Sequence, residues 1–284
     1  MTDNSKPIVS AVITTYNREK SLRRAIESVL RQSYRDIELI IIDNGSTDGT
    51  KAVIQSYAKN YKIKYIYQGD QGRYLNALNE GINVAKGKYI AILDDDDFWC
   101  DKNKIEKQVD FLEKNPDYVL VGGGLIGIDE KGQEIARYLL PEKDVDIKKK
   151  ILISNTLAHT TILFRKDAWE KAGGYDEGLD WGLWLKMGKM GKFYNMQEFF
   201  VVYTGHQRGN PGFIEKRYTK LKWLKTDIGI KKKHKGDYPG YKRALLLCWI
   251  RYFYSFLPFR LPPKRQLWLL LFRARNLLGR LKSR

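Results

Sequence analysis

The chain has 284 residues, 43% hydrophobic and 13% aromatic, which is enough apolar material for a sizeable core; Cys100 and Cys248, its two cysteines, exclude a disulfide framework, lack metal-ligand spacing and point to a reducing compartment. The net charge of +18 is unevenly placed, because residues 213–284 hold 20 Lys/Arg against three acids and leave residues 1–212 with 31 against 30. A nearly neutral body therefore carries a strongly basic tail.

Met1 to Lys6 is polar and shows no signal peptide. Ile8 to Thr14 reads as a strand, and Leu22, Ala25, Ile26, Val29 and Leu30 then repeat at helical spacing. Ile37 to Ile42 is a second buried strand, ending in the turn-rich loop Asp43 to Thr50 ahead of a helix through Val53, Ile54, Tyr57 and Ala58. Ile63 to Tyr67 is a third strand and Tyr74 to Ala85 a helix with Leu75, Leu78 and Ile82 on one face. Lys88 to Leu93 is a fourth strand, almost wholly apolar as in a parallel sheet covered on both faces, and it stops at four adjacent carboxylates, Asp94 to Asp97. Such a cluster is balanced by a cation of the hard Mg2+ or Mn2+ type, or else is a solvated turn at a helix start.

Alternating strands and helices at this spacing predict a doubly wound α/β sheet, with ligands bound beyond the carboxyl ends of the strands. Tyr16, Asp43 and the acids all fall at such ends. Farther on, Lys102 to Glu113 is expected to be a helix, Tyr118 to Val121 a strand running into Gly122–Gly124, and Ile128 to Ile135 a hairpin around Gly132. Thr161 to Arg165 is a strand, Ala168 to Ala172 a short helix, and Asp180 stands near the start of another, where a cap is the plain reading of its carboxylate.

The segments Val12 to Arg18, Ile41 to Thr50, Gly87 to Trp99, and Gly173 to Glu177 before Asp180 to Leu185 resemble the family 2 glycosyltransferases over roughly residues 7 to 210. The resemblance implies a GT-A fold, a nucleotide-sugar donor, of the uridine type given Asp43, and inversion at the transferred anomeric carbon. Matched residue by residue, it implies a nucleotide site of Thr14, Tyr16, Asp43, Arg73, Asp94 and Asp95. Tyr16 would stack on the base, Asp43 would accept the ring N–H, and Arg73 would meet nucleotide or pyrophosphate through its fork of donors. Asp94-Asp95-Asp96 matches the DxD element, in which Asp96 would bind Mn2+ or Mg2+ and Asp94 or Asp95 the ribose. Asp180 matches the catalytic base that takes the acceptor hydroxyl proton, with Asp176 and Glu177 as substitutes; Leu179 stands where the family often has Glu. His206, beside Arg208, matches a loop that closes on the donor and supplies a basic residue to metal or phosphate. His159 lies where the family lines the sugar and acceptor pocket, but is read as an ordinary polar residue.

The organisation expected is a GT-A domain over 1–212 and a basic, mostly helical, amphipathic region over 213–284. In that region Ala244 to Phe259 and Leu267 to Phe272 are apolar and aromatic segments flanked by cations, too short or interrupted to span a bilayer, as expected of an in-plane anchor on anionic lipid. A helical tail packed on the body is the competing reading, and no nucleic-acid-binding module accompanies the charge. The function expected is transfer of a hexose or N-acetylhexosamine from a UDP-sugar to a glycan or glycolipid acceptor in cell-surface polysaccharide synthesis, in the cytoplasm at the inner membrane face. A polyprenyl-phosphate sugar synthase differs only in acceptor. A non-catalytic membrane- or nucleic-acid-binding protein would tolerate loss of Asp96 or Asp180.

Overall fold

The computed structural model describes residues 8–69, 74–176, 179–204 and 220–256. Strands β1 (Val9–Thr15), β2 (Ile37–Asp43), β3 (Ile63–Tyr67) and β4 (Tyr89–Asp94) form the parallel half of a nine-stranded sheet. The helices between them are α1 (Leu22–Leu30), α2 (Thr50–Ala58) and α3 (Tyr74–Asn83). Beyond β4 the chain forms β5 (Phe98–Trp99), α4 (Lys104–Lys114), β6 (Tyr118–Ile128), β7 (Glu134–Tyr138), α5 (Asp144–Ile151), a 3-10 turn at His159–Thr161, β8 (Leu163–Arg165), α6 (Lys166–Ala172), α7 (Leu179–Met187) and β9 (Lys192–Thr204). Two further helices follow, α8 (Lys220–Lys233) and α9 (Tyr241–Tyr254). The strand order is β3-β2-β1-β4-β8-β6-β9-β5, with β7 paired to β6.

Side-chain alternation along each strand feeds two cores. Ile40 and Ile42 of β2, with Val12, Ile90 and Ile92, face α3, α6 and α7. Leu39 and Ile41, with Ala11, Ile13, Ala91 and Leu93, face α1, α2 and α4. Apolar residues on both faces are what a helix-covered parallel strand requires, so these segments carry little polar alternation.

The neighbour of β4 reverses direction, although β6 and β9 farther along the sheet run parallel to each other. Strand β8 runs antiparallel to β4, pairing Tyr89 with Arg165 and Ala91 with Leu163, so the start of β8 lies beside the end of β4. The glycines at 122–124 lie inside β6 and do not end it, because β9 crosses there at close range: a Cβ on Gly123 would come within 2.3 Å of the Phe200 ring. Strand β9, helix α5 and the two-residue β5 have no strong periodicity of their own, and the sequence reading passed over them.

Helices α8 and α9 pack on the body. Leu224, Tyr238 and Ala244 are buried, and the last two join the core on the α7 face of the sheet, with Ile230 and Tyr241 packed against it. The Tyr238 hydroxyl donates to the Leu185 carbonyl at 2.8 Å. Among the described residues no helix is long and apolar enough to cross a membrane.

Ile92 is fully buried in the strand that carries the acids. Ile92→Ala is expected to lower the unfolding free energy by about 2–5 kcal/mol, through lost burial and a residual cavity, and urea denaturation with an unchanged m value is the check.

Candidate active site

Register alone brings the predicted residues of the parallel half together. Thr15 pairs with Asp43 and Thr14 with Asp94, so the ends of β2, β1 and β4 lie side by side. Thr14 is buried within β1, whereas Tyr16, one step past its end, is 42% exposed. The loop after Tyr16 is fixed against the loop after β2. Asn17 takes the left-handed conformation (φ 53°), its N–H donates to Ser46 Oγ at 2.9 Å and its Oδ1 accepts the Thr47 N–H at 2.8 Å.

Asp43 is fully buried. Its Oδ1 accepts the Ser46 N–H at 2.8 Å and its Oδ2 accepts the Tyr65 hydroxyl at 3.0 Å, which closes an Asx-type turn and raises the pKa of the burial-penalised Tyr65 phenol. A base N–H would therefore share an oxygen that already holds one donor; a carboxylate has lone pairs for both.

The four acids point four ways. Asp94 Oδ1 accepts the Tyr74 hydroxyl at 3.1 Å and lies 3.9 Å from His159 Nδ1. Asp95 Oδ2 accepts the Tyr16 N–H at 3.3 Å, and its Oδ1 is 3.4 Å from Arg18 Nε. Asp96 Oδ2 is 3.4 Å from Arg18 Nη2, while its carbonyl accepts from Arg24 and from the Thr204 hydroxyl. Asp97 turns inward, fully buried, and accepts the Thr204 N–H at 3.0 Å through Oδ1, which ties the acidic turn to the end of β9; its Oδ2 makes no well-formed hydrogen bond.

Burial, first, and then repulsion from neighbouring carboxylates hold Asp94, Asp95 and Asp97 above the ordinary carboxylate range. Asp95 is pushed up to about 7, with Asp96 adding to the effect of burial and Arg18 opposing it. Asp97 is raised by burial and by Asp94 and Asp96, and Asp94 by burial despite the opposing charge of His159.

A divalent cation fits this donor set. The oxygens are hard, Arg18 lies against Asp95 and Asp96, Arg24 donates to the Asp96 carbonyl, and the Asp94 and Asp96 side chains both keep partial exposure. Among the described residues no three His, Cys, Asp or Glu side chains converge on one point, so the remaining ligands of such an ion would be phosphate oxygens and water.

Asp180 opens α7 behind an unusual backbone. Leu179 has φ 57°, a left-handed conformation that costs a non-glycine residue about 1–3 kcal/mol and recurs at functional sites. Asp180 Oδ2 accepts Asn155 Nδ2–H at 2.8 Å, and its charge contributes to raising Asp94, Tyr74 and Tyr175, so Asp180 and the acidic turn share one electrostatic environment. The fallback Asp176 instead pairs with Lys186 at 3.2 Å.

A relay that sequence reasoning missed joins the two sides. His159 Nε2 is 3.0 Å from the Tyr175 hydroxyl, and its other ring nitrogen faces Asp94. Asn79 clamps the backbone of Tyr175 at both groups, accepting its N–H and donating to its carbonyl at 2.9 Å each. The turn there needs glycine: Gly173 and Gly174 both have positive φ, and a Cβ on Gly174 would strike Asn79 Oδ1 at 2.9 Å. His159 was read as ordinary polar surface because its partners lie 65 and 16 residues away; only the antiparallel entry into β8 brings it here. Arg18, Arg24, Tyr74, Asn79 and Asn155 were missed for the same reason. Arg73, His206, Arg208 and Glu177 lie outside the described residues.

Comparison with known proteins gives one consistent result. The family model described as "Glycosyl transferase family 2" matches residues 10–172. The putative glycosyltransferase EpsE of Bacillus subtilis is 38% identical over 208 residues, 69% of this chain and 72% of EpsE. The uncharacterized glycosyltransferase MJ1057 of Methanocaldococcus jannaschii is 34% identical over 216 residues, covering 72% of this chain and 73% of that protein. Among solved structures, S. aureus TarS 1-349 in complex with UDP-GlcNAc superposes with a TM-score of 0.69 at 15% identity, covering 88% of this chain and 73% of that one. The mannosyltransferase PcManGT of Pyrobaculum calidifontis, in complex with GDP-Man and Mn2+, gives a TM-score of 0.63 at 16% identity over 88% of this chain and 70% of that one.

Because Asp97 is held above its unfolded pKa, its contribution to stability is full at acid pH and is lost as pH rises from the ordinary carboxylate range through its raised pKa. Without divalent cations the thermal midpoint is expected to fall over that interval, and Asp97→Asn to flatten the fall. Melting curves from about pH 4.5 to 8.5 measure both.

Proposed function

The chain belongs to glycosyl transferase family 2 and has the GT-A fold, and on that premise we propose that it transfers a hexose or N-acetylhexosamine from a UDP-sugar to a glycan or glycolipid acceptor in cell-surface polysaccharide synthesis. The observation that carries the reading is the meeting of three parallel strand ends with the start of α7, which puts Asp94 under the influence of Asp180. That arrangement gives a nucleotide side and a proton-accepting side facing one reaction space.

On the nucleotide side Tyr16 stacks on the base and Asp43 accepts its ring N–H, while Thr14 supports the strand end and Arg73 meets the pyrophosphate. Uridine is the base proposed, in keeping with the UDP-GlcNAc and UDP complexes of TarS. Asp94 or Asp95 reaches the ribose. Asp96 would hold Mn2+ or Mg2+, with His206 as a further contact; Mn2+ in PcManGT supports a divalent ion. The ion when bound would offset charge on the leaving diphosphate. Arg18, already against Asp95 and Asp96, is placed to meet the diphosphate as well.

Inversion requires the acceptor oxygen to approach C1 opposite the diphosphate and to lose its proton to a carboxylate there, and Asp180 takes that role. Asn155, donating to one carboxylate oxygen, fixes the orientation and leaves the other for the acceptor hydroxyl. The basic C-terminal region holds the enzyme on the cytoplasmic face of the cell membrane, where a lipid-linked acceptor is displayed; each Lys or Arg near anionic lipid contributes about 1 kcal/mol.

Calorimetry with UDP is expected to show binding that strengthens with Mn2+ in the wild type and loses that metal dependence in Asp96→Ala. Absence of UDP binding by a folded wild type would overturn the donor assignment. Asp180→Asn is expected to leave UDP affinity within about twofold while lowering kcat by about 10²–10⁴, measured as UDP release with acceptor present.

A further inference from the structure

Helix α9 has two faces of opposite character. Ala244 and Cys248, one turn apart, are buried toward α8, where the Cys248 thiol donates to Asp227 Oδ2 at 2.9 Å. On the other side Leu246, Trp249, Ile250 and Phe253, at the three- and four-residue spacing of a single helical stripe, are between 41% and 63% exposed, and Phe256 continues the row past the helix end at 57%. Trp249 and Phe253 stack at 5.9 Å between ring centroids, which makes the stripe a continuous apolar ridge.

Cations lie beside the ridge. Lys242 and Arg243 are exposed on the same helix, one turn ahead of Leu246, and Lys220 Nζ lies 4.4 Å from the centre of the Phe256 ring. The acids of the hairpin are committed elsewhere: Asp227 to Lys231 and Cys248, Asp237 to His234 and Lys189. An apolar aromatic ridge beside cations that pair with no acid among the described residues is complementary to an interface with buried acyl chains and exposed phosphates. A second copy of the chain is a poorer match, since its body holds 31 cations against 30 acids and brings no excess of negative charge.

We propose that the Leu246–Trp249–Ile250–Phe253 face of α9 lies in the plane of an anionic lipid surface, and that α8 fixes this face to the helix bearing Asp180. The lipid source rests on the membrane reading above; the face and its coupling go beyond it. The coupling is direct. Lys231, 1% exposed and paired with Asp227, stands 4.2 Å over the Trp181 ring, next to Asp180. Tyr238 caps the Leu185 carbonyl on the same helix, and Lys189 at its end pairs with Asp237 at 3.2 Å. Lipid contact through α9 thus sets the tilt of α7 and of its carboxylate relative to the membrane.

The test is cosedimentation of the full chain with mixed phosphatidylcholine–phosphatidylglycerol vesicles and with phosphatidylcholine alone, for the wild type and for Trp249→Ser/Phe253→Ser. Binding to the mixed vesicles, weak binding to the neutral ones, and at least a tenfold loss in the double variant are expected, on the order of one buried aromatic. Calorimetry with UDP runs beside it: unchanged UDP affinity in the double variant reports an intact body and separates this proposal from the donor assignment. If the double variant does not fold, Phe253→Ser alone carries the same comparison. No binding by the wild type, or wild-type binding by the variant, overturns the proposal, the latter assigning attachment to the cations of residues 257–284. Loss of a dimer in the variant with lipid affinity unchanged assigns the face to a second copy.

Discussion

Four carboxylates at the end of a strand buried on both faces impose the constraint on which the rest of this molecule depends. A hydrophobic strand delivers them, and the same burial that stabilises the strand penalises their charge. The structure divides the load: Asp97 turns inward to hold β9, Asp94 is met by Tyr74 and His159, and Asp95 and Asp96 share Arg18. Burial, more than repulsion between carboxylates, raises Asp94, Asp95 and Asp97, and the affinity proposed for metal and diphosphate rests on the same gathering of acids.

The C-terminal helices change the meaning of the basic tail. Viewed as sequence, the charge suggests an appendage whose task is separate from chemistry. In the fold, α8 contributes Ile230 and the segment after it Tyr238 to the larger core, and a buried lysine rests on the aromatic neighbour of Asp180. Buried ion pairs such as Lys231 with Asp227 add little net stability but penalise misplacement strongly, so they suit a role in fixing one helix against another.

The meeting of strand ends at Asp43 and Asp94 was legible because it depends on local signals. Apolar runs ending in Asp43 and in Asp94 announce strand ends, and parallel register then makes neighbours of them without further information. The opposite side was not legible. His159, Asn79, Asn155 and Tyr175 come together only because β8 reverses direction beside β4, and no periodicity encodes the partner of an antiparallel strand three residues long. Gly122–Gly124 misled for a related reason. Gly123 admits Phe200, which is 77 residues away in the chain, while Gly122 faces Asn195 and Gly124 faces Leu139. Leu179, with its left-handed backbone, could have been suspected only from its departure from the family pattern.

The reversal at β8 has a consequence for how such a chain can diversify. The half proposed to hold the nucleotide is assembled from segments leaving strands, whereas the other half is assembled from the 3-10 turn ahead of β8 and the Gly-Gly-Tyr turn ahead of helix α7. The two sets meet at the Tyr74, Asp94 and His159 junction and at the clamp of Asn79 on Tyr175. Insertions and exchanges ahead of β8 and α7 that spare these contacts would reshape the proposed acceptor side and leave the strand ends as they are. One scaffold of this kind can acquire new acceptors by drift in a single set of loops.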